Sequence, residues 1–157
     1  MTIVETMDNI ADYLRAVLAD YTISDGGTFA PVSVYAGWPP VRDSSKIKEY
    51  FVYACVTDWQ DGLDGTNQTS KATVQIGFSV QDADLKDGWR QLYNLMETVR
   101  QALLRKRTIA GRSWLQSPVK GMVVVDNLLF PEWSGAITVQ YVIGQPVEEK
   151  IGEALNG

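Results

Sequence analysis

The chain has 157 residues, a length typical of one domain, and its 45% hydrophobic and 21% charged residues are an ordinary globular composition. It contains no histidine and a single cysteine, Cys55, which excludes Ser-His-Asp triads, Cys-His dyads, intrachain disulfides and structural zinc sites. The formal net charge of −5 argues against general affinity for nucleic acid. No apolar stretch approaches the roughly 20 residues of a membrane helix and no basic signal region is found, so we expect a soluble, non-secreted protein that does not bind membranes.

The charge is unevenly distributed along the chain. Residues 86–120 contain eight Lys or Arg and two Asp or Glu, so this segment carries +6 while the remainder carries −11. This asymmetry predicts a molecule with one basic and one acidic side.

A first helix is predicted over residues 3–21. Apolar residues recur there at alternating intervals of three and four, which places them on one face of a helix. Thr2 and Glu5 have the spacing of a capping box and would start the helix. The predicted apolar face consists of Ile3, Met7, Ile10, Leu14, Val17 and Tyr21.

Three strands are predicted next. A short one covers residues 32–35 and stops before Pro39 and Pro40. Residues 50–57 are β-rich without alternation, as in a central strand covered on both faces. Residues 72–80 alternate strictly between apolar and polar, so this strand should bury one face. The last two should form a long hairpin joined by a polar loop.

A second helix is predicted over residues 89–107, with Asp84 or Asp87 as its N-cap. A loop over residues 111–118 and two strands, residues 122–125 and 137–143, should follow. The predicted apolar face of the helix consists of Trp89, Leu92, Met96, Val99 and Leu103.

Taken together, these elements predict an α+β fold in the order α-β-β-β-α-β-β. Two helices should pack on one face of a mostly antiparallel sheet of four to five strands. Residues 1–144 should form this single domain, and residues 145–157 a tail. Val147, Ile151 and Leu155 are spaced four apart, which favours a short helix that docks on another surface.

The polar loop over residues 58–69 contains three carboxylates, Asp58, Asp61 and Asp64. Their spacing does not match a calcium loop, because position 12 is Thr69 where a bidentate Glu is required. No glycine-rich phosphate loop occurs either, so we expect no metal and no cofactor. Carboxylate chemistry by a pair such as Asp58 and Asp61 is the enzymatic alternative that stays open, and we expect no enzyme activity.

Two segments and the edge tryptophans are candidate interfaces. The polar loop is longer than a hairpin requires, which favours a protein contact there. The cations that follow the second helix either solvate its C-terminal end, contact an acidic partner such as a neighbouring copy, or contact phosphates. Tryptophans at strand ends either cap the core or form subunit contacts. The candidate residues are Trp59, Asp61, Leu63, Asp64, Arg105, Arg107, Arg112 and Trp133.

With these elements placed, the chain resembles the tail terminator or tail-completion proteins of tailed bacteriophages, the group that includes the minor tail protein U type. The resemblance is one of architecture and covers about residues 3–144. It rests on the helix over residues 3–21, the hairpin around 58–69, the helix over 89–107 and the strand pair around 130–135.

This resemblance implies a structural role in the virion. It implies a hexameric ring that caps the tail tube, stops its polymerisation and presents the surface to which the head docks. The implied partners are further copies of the chain, the tail tube protein and the head-tail connector, and DNA would pass through the ring without specific binding. The implied location is the tail near the neck, after assembly in the host cytoplasm.

Two alternatives of function stay open beside this one. The chain could be another head-tail connector or tail component of similar build. It could also be a nucleic-acid-binding module that uses residues 100–112, in which case its binding of duplexes should fall steeply as salt rises.

Overall fold

The computed structural model describes residues 2–25, 28–40, 50–64 and 68–149 of the chain. A short 3-10 helix, Asn127–Leu129, lies between the last two strands. The helices and strands in chain order are α1 (Ile3–Val17), β1 (Thr22–Asp25), β2 (Thr28–Pro31), β3 (Ser33–Ala36), β4 (Phe51–Asp61), β5 (Ser70–Gln81), α2 (Trp89–Arg105), β6 (Thr108–Ile109), β7 (Ser113–Val123) and β8 (Glu132–Ile143).

Six of the strands form one sheet in the order β3-β4-β5-β8-β7-β6, and β1 pairs with β2 in a separate hairpin. The β3–β4 pair is parallel and the other pairs of the large sheet are antiparallel. The α+β class with two helices is confirmed. The predicted strand number and order were incomplete, because β1, β2 and β6 have only two to four residues and show no period of their own.

Helix α1 begins as its sequence predicts. The backbone N–H of Glu5 donates to Thr2 Oγ1 at 3.0 Å, and the N–H of Thr2 donates to Glu5 Oε2 at 2.7 Å, which completes the capping box. The helix ends at Val17 rather than near Tyr21, because the chain turns there and enters β1 at Thr22.

Helix α2 begins without the predicted side-chain cap. Gly88 is the N-cap residue, and Asp84 instead accepts hydrogen bonds from the N–H groups of Lys86 and Asp87 within the preceding turn. A Cβ at Gly88 would lie 2.6 Å from the Asp84 carbonyl oxygen, so the close turn excludes a larger residue. The helix ends at Arg105, two residues early, because the Arg107 carbonyl accepts from the N–H of Leu115 and so belongs to the sheet edge.

Both helices pack on the same face of the large sheet, as predicted. The alternating residues of β5 face them, and the hydroxyl of Tyr13 on α1 donates to the Ala102 carbonyl of α2 at 2.9 Å. Burial of such side chains contributes roughly 1.5 to 3 kcal/mol each. The prediction that Trp89 lies on the buried face of α2 is wrong, because its side chain is exposed, and Met7 is only half-buried. The buried core includes Ile10, Leu14, Ala72, Val74, Ile76, Phe78, Val80, Leu92, Met96, Val99 and Leu103.

The predicted loop over residues 111–118 is wrong from Ser113 onward, because β7 starts there. Its register against β8 shifts between Gln116 and Lys120, so its side chains do not alternate between two faces over the whole strand. Pairing with β8 therefore determines this strand, and its own sequence carries no clear β period. The strand also ends at Val123, two residues before the predicted end.

Candidate interaction surfaces

The tip of the β4–β5 hairpin is smaller than the predicted polar loop. Residues 58–61 belong to β4, where Trp59 pairs with Ala72 and Asp61 with Ser70, and the N–H of Gly62 continues the ladder to the Thr69 carbonyl. The prediction that the loop starts at residue 58 is therefore wrong for its first four residues. A run of polar residues was interpreted as a loop, although β-strand pairing requires only backbone groups.

The three carboxylates of this region do not converge. Asp58 accepts from Thr73 Oγ1 at 2.8 Å, and Asp61 accepts from the hydroxyl of Ser70. Side chains three apart in a strand point to opposite faces, so Asp58 and Asp61 do not form a carboxylate pair. Over the ranges that the structure describes, no group of three or more Cys, Asp or Glu side chains is arranged to hold a metal ion.

The predicted apolar anchors at this tip are exposed. Trp59 is 56% exposed and Leu63 is 73% exposed, and Asp64 also faces solvent. Leu63 lines an open groove of about 560 Å³ together with residues of the tail. Trp59, Asp61, Leu63 and Asp64 thus lie together at one end of the sheet, around the turn of the hairpin.

The tail after β8 contacts this tip. The amide Nε2 of Gln145 donates to the Gly62 carbonyl at 2.9 Å, and Pro146 and Glu148 line the same groove as Leu63. Residues 144–149 form no helix, and the rest of the predicted docking helix, with Ile151 and Leu155, lies outside the described residues.

The three predicted arginines lie around the C-terminal end of α2 and the turn before β7. All three side chains are exposed. The Nε of Arg107 donates to the Leu104 carbonyl at 3.2 Å, one of the last carbonyls of the helix. Arg112 follows a turn in which Gly111 has a positive φ, and its guanidinium lies near Glu5 at the start of α1. There, the N–H of Thr2 lowers the pKa of Glu5 below its ordinary value, and the Arg112 guanidinium adds to this effect.

A groove runs along α2 between this helix and strand β7. One part of about 360 Å³ and another of about 340 Å³ share Arg100 and Val119, and we call the whole the α2–β7 groove. Arg100 is paired with Glu97 at 3.0 Å, and Arg107 lies at the other end. Apolar side chains that line it include Met96, Leu104, Leu115, Val119 and Ile137.

Trp133 serves its own chain. Its indole Nε1 donates to the Asp82 carbonyl at 2.9 Å, and its ring packs edge-on against Phe130 with the ring centres 6.1 Å apart. The side chain is half-buried against the core. Of the two interpretations of an edge tryptophan, this geometry matches a cap on the core.

A surface that the sequence analysis missed lies at the tip of the β7–β8 hairpin. Val125 is 92% exposed and Leu128 is 90% exposed, and four neighbouring apolar side chains also reach solvent. Two apolar runs flank Asp126 and Asn127 in the sequence, but the first run was assigned to a strand over residues 122–125 and not to an exposed surface. We call this surface the apolar tip, and it consists of Met122, Val124, Val125, Leu128, Leu129 and Phe130.

In the described part of the chain, neither helix combines the length and the apolar character required to cross a bilayer.

The chain matches no known protein-family model and no curated protein sequence. Solved structures do match. One chain of the structure "Virion of native gene transfer agent (GTA) particle" is 17% identical, with a TM-score of 0.55 over 91% of this chain and 98% of that chain. A chain of "Cryo-EM Structure of an Extracellular Contractile Injection System, PVC sheath/tube terminator in extended state" is 15% identical, with a TM-score of 0.33 over 92% of this chain and 61% of that chain. The first likeness shows a shared fold over nearly the whole length of both chains.

Proposed function

We propose that the chain is a structural component of the tail of a phage or phage-like particle. The observation that carries this proposal is the fold that it shares with a chain of the gene transfer agent virion, over 91% of its own length. More specifically, the chain forms a ring, hexameric by the resemblance, that terminates the tail tube and provides the head-tail joining surface. Its partners are further copies, the tail tube protein and the head-tail connector, and it resides in the virion tail near the neck.

The exposed apolar tip supports an assembly role. Two of its side chains are at least 90% exposed, and apolar surface of this kind is typically covered by a partner in the assembled state. We assign the adjacent copy in the ring as the partner that covers it. A contact between two different surfaces of identical chains repeats around an axis and closes a ring when the rotation permits.

The non-enzymatic character of this role agrees with the separation of Asp58 and Asp61 on opposite strand faces. The nucleic-acid alternative has less support in the geometry. Apolar side chains line much of the groove between α2 and β7, beside Arg100 and Arg107. Contacts to phosphate come from Arg and Lys together with polar side chains and backbone N–H groups, rather than from apolar side chains.

The test is the mass of the purified protein in solution, combined with negative-stain images. We expect a closed ring at high protein concentration or with tail tubes present. We also expect assembly to weaken as salt rises, because contacts between the basic segment over residues 86–120 and an acidic neighbour are screened. A monomeric mass at every concentration and salt, even with tail tubes added, would overturn the proposal.

A matched pair of variants tests the apolar tip itself. Val125→Asp with Leu128→Asp should abolish ring formation and leave the monomer folded, since both side chains are exposed. Leu85→Asp introduces a charge at another exposed leucine, in the turn before α2, and should leave the ring intact. Equal ring formation by both proteins would show that the apolar tip is not the subunit contact.

A further inference from the structure

The α2–β7 groove combines an apolar lining with cations. Met96, Leu115 and Val119 line it, and Arg100 and Arg107 lie at its middle and end. Glu97 also lines the groove, which leaves it with a net charge of +1. From Tyr93 to the end of α2 it follows the helix for about 18 Å, at 1.5 Å per residue. These dimensions and this composition suit a short segment that carries both apolar and acidic side chains.

The tail of this chain has that composition. Residues 145–157 contain three glutamates and one lysine, so the segment carries −2. Val147, Ile151 and Leu155 recur every four residues, so the segment has apolar side chains along its length. Val147, the one apolar member of this series within the described residues, is 95% exposed. The tail therefore offers apolar groups and negative charge to a groove that has apolar side chains and positive charge.

The path of the tail indicates whose groove it reaches. Gln145 and Pro146 lie at the tip of the β4–β5 hairpin, and β4 is on the opposite side of β8 from β7 in the sheet order. The described part of the tail thus leads away from the groove of its own chain. The eight residues after Glu149 can extend by at most about 29 Å, which is sufficient to contact an adjacent copy.

We propose that residues 147–157 of one copy bind in the α2–β7 groove of the neighbouring copy. The apolar side chains of the tail contact Met96, Leu115 and Val119, and its glutamates face Arg100 and Arg107. This inference rests on the proposed ring. It adds a second contact between neighbouring copies, in which the tail of one chain lies on the next chain. The contact joins two different surfaces, so it repeats from copy to copy in one direction around the ring.

Disulfide trapping in the full chain tests the contact directly. In a Cys55→Ala background, one protein carries Val147→Cys in the tail and a second, differently tagged protein carries Ser117→Cys in the groove. We expect a disulfide between the two tags, formed at least ten times faster than with Ala16→Cys, an exposed position on α1 outside the groove. A rate equal to that of the α1 control would overturn the proposal. Preferential formation within a single chain that carries both cysteines would show that the tail occupies its own groove, and would also overturn it.

Charge reversal tests the specificity. Arg100→Glu with Arg107→Glu should lower the trapping rate at least tenfold, and so should Glu148→Lys with Glu149→Lys, because like charges then meet. A chain that carries all four changes should recover the trapping rate, since attraction is restored with inverted sign. Failure to recover, with thermal melting unchanged, would show that the contact is not the one proposed. Loss of binding to a labelled DNA duplex in the arginine variant, without tail trapping in the parent, would assign the groove to nucleic acid instead.

The two proposals fail in different ways. Rings that persist when the arginines are reversed, with no trapped disulfide, would overturn the tail contact and leave the proposed ring in place. Trapping between copies without any closed ring in images would keep the tail contact and overturn the ring.

Discussion

The two long hairpins of the sheet, β4–β5 and β7–β8, pair with each other through β5 and β8, yet their tips differ in character. The β4–β5 tip is polar and is held by hydrogen bonds: Ser70 to Asp61, Gly62 to Thr69, and Gln145 to Gly62. The β7–β8 tip is apolar, and Val125 and Leu128 are almost fully exposed. The first tip is therefore stabilised within one chain, whereas the second presents surface that a partner would have to cover.

This difference shows what a polar loop composition does and does not indicate. The polar composition predicted a loop from residue 58 onward, but strand pairing satisfies the backbone polar groups up to Gly62. Apolar composition at the other tip predicted a strand over residues 122–125, but β7 ends at Val123 and a turn begins at Asp126. The position of a segment relative to the helix-covered face decides burial in both hairpins.

The largest expected effect comes from the shared base of the hairpins. Ile76 is fully buried in β5 and pairs with Ala54 of β4 and Ile137 of β8, so Ile76→Ala should lower the free energy of unfolding by about 2–5 kcal/mol. Val125→Ala at the apolar tip is the matched control and should change it by less than about 0.5 kcal/mol. Chemical denaturation of both variants measures the change in the free energy of unfolding. Similar changes for Ile76→Ala and Val125→Ala would contradict the difference between the base of the hairpins and the tip.

A smaller effect is expected where the β7–β8 hairpin meets α2. A Cβ added at Gly135 would lie 2.8 Å from the Met122 carbonyl oxygen and 2.8 Å from Met96 Sδ. Gly135→Ala should therefore destabilise the protein by about 1–3 kcal/mol, because the backbone of β7 or the Met96 side chain must move. Gly121→Ala, which meets only one atom at 4.0 Å, is the control and should be much milder in thermal denaturation. A larger destabilisation by Gly121→Ala than by Gly135→Ala would show that α2 is not closely packed against this hairpin.

At the polar tip, removal of the acceptor Asp61 should destabilise the protein more than removal of the donor Ser70, although both break the same hydrogen bond. Asp61→Ala leaves the buried Ser70 hydroxyl without its acceptor and should destabilise by about 1–2 kcal/mol. Ser70→Ala leaves the exposed Asp61 carboxylate to water and should change the free energy of unfolding by less than about 0.5 kcal/mol. Asp64→Ala is the exposed control within the same tip. If neither Asp61→Ala nor Ser70→Ala shifts the denaturation midpoint, the tip is not stabilised by this contact.

The smallest effect at neutral pH is expected for Tyr141 in β8. Its hydroxyl is buried and has no hydrogen-bond partner among the described residues, so Tyr141→Phe should change the free energy of unfolding by less than about 1 kcal/mol. Burial raises the pKa of Tyr141 above the ordinary value of 10.0, and the nearby Tyr13 hydroxyl adds to this. The unfolded chain therefore loses this proton at lower pH than the folded chain.

The sign of the pH dependence follows from that difference. The contribution of Tyr141 to stability is fully present below pH 10 and is lost as pH rises through the raised folded pKa. Denaturation midpoints above pH 10 should fall less steeply for Tyr141→Phe than for the parent protein. Identical slopes would mean that Tyr141 ionises equally in the folded and unfolded chain.

The sequence by itself determined the helices and strands in which apolar residues recur at a regular spacing within one segment. The capping box of Thr2 and Glu5, the apolar faces of both helices and the alternation over residues 72–80 predicted α1, α2 and β5, because each pattern reflects one element packed against one core. The α+β class followed from the order of these elements.

The tertiary structure alone decided the edges of the sheet and the surfaces. Strand β7 forms because it pairs with β8, and residues 58–61 are strand because they pair with β5. These pairings join segments that are distant in the chain, so no local sequence pattern predicts them. The same is true of the candidate interaction surfaces. The residues named from the sequence include the exposed side chains of Trp59, Leu63, Arg105, Arg107 and Arg112. Trp133, in contrast, donates to the Asp82 carbonyl of its own chain, and the exposed apolar tip was not predicted. Side-chain exposure depends on which elements cover a given face, and that is fixed only when distant segments of the chain meet.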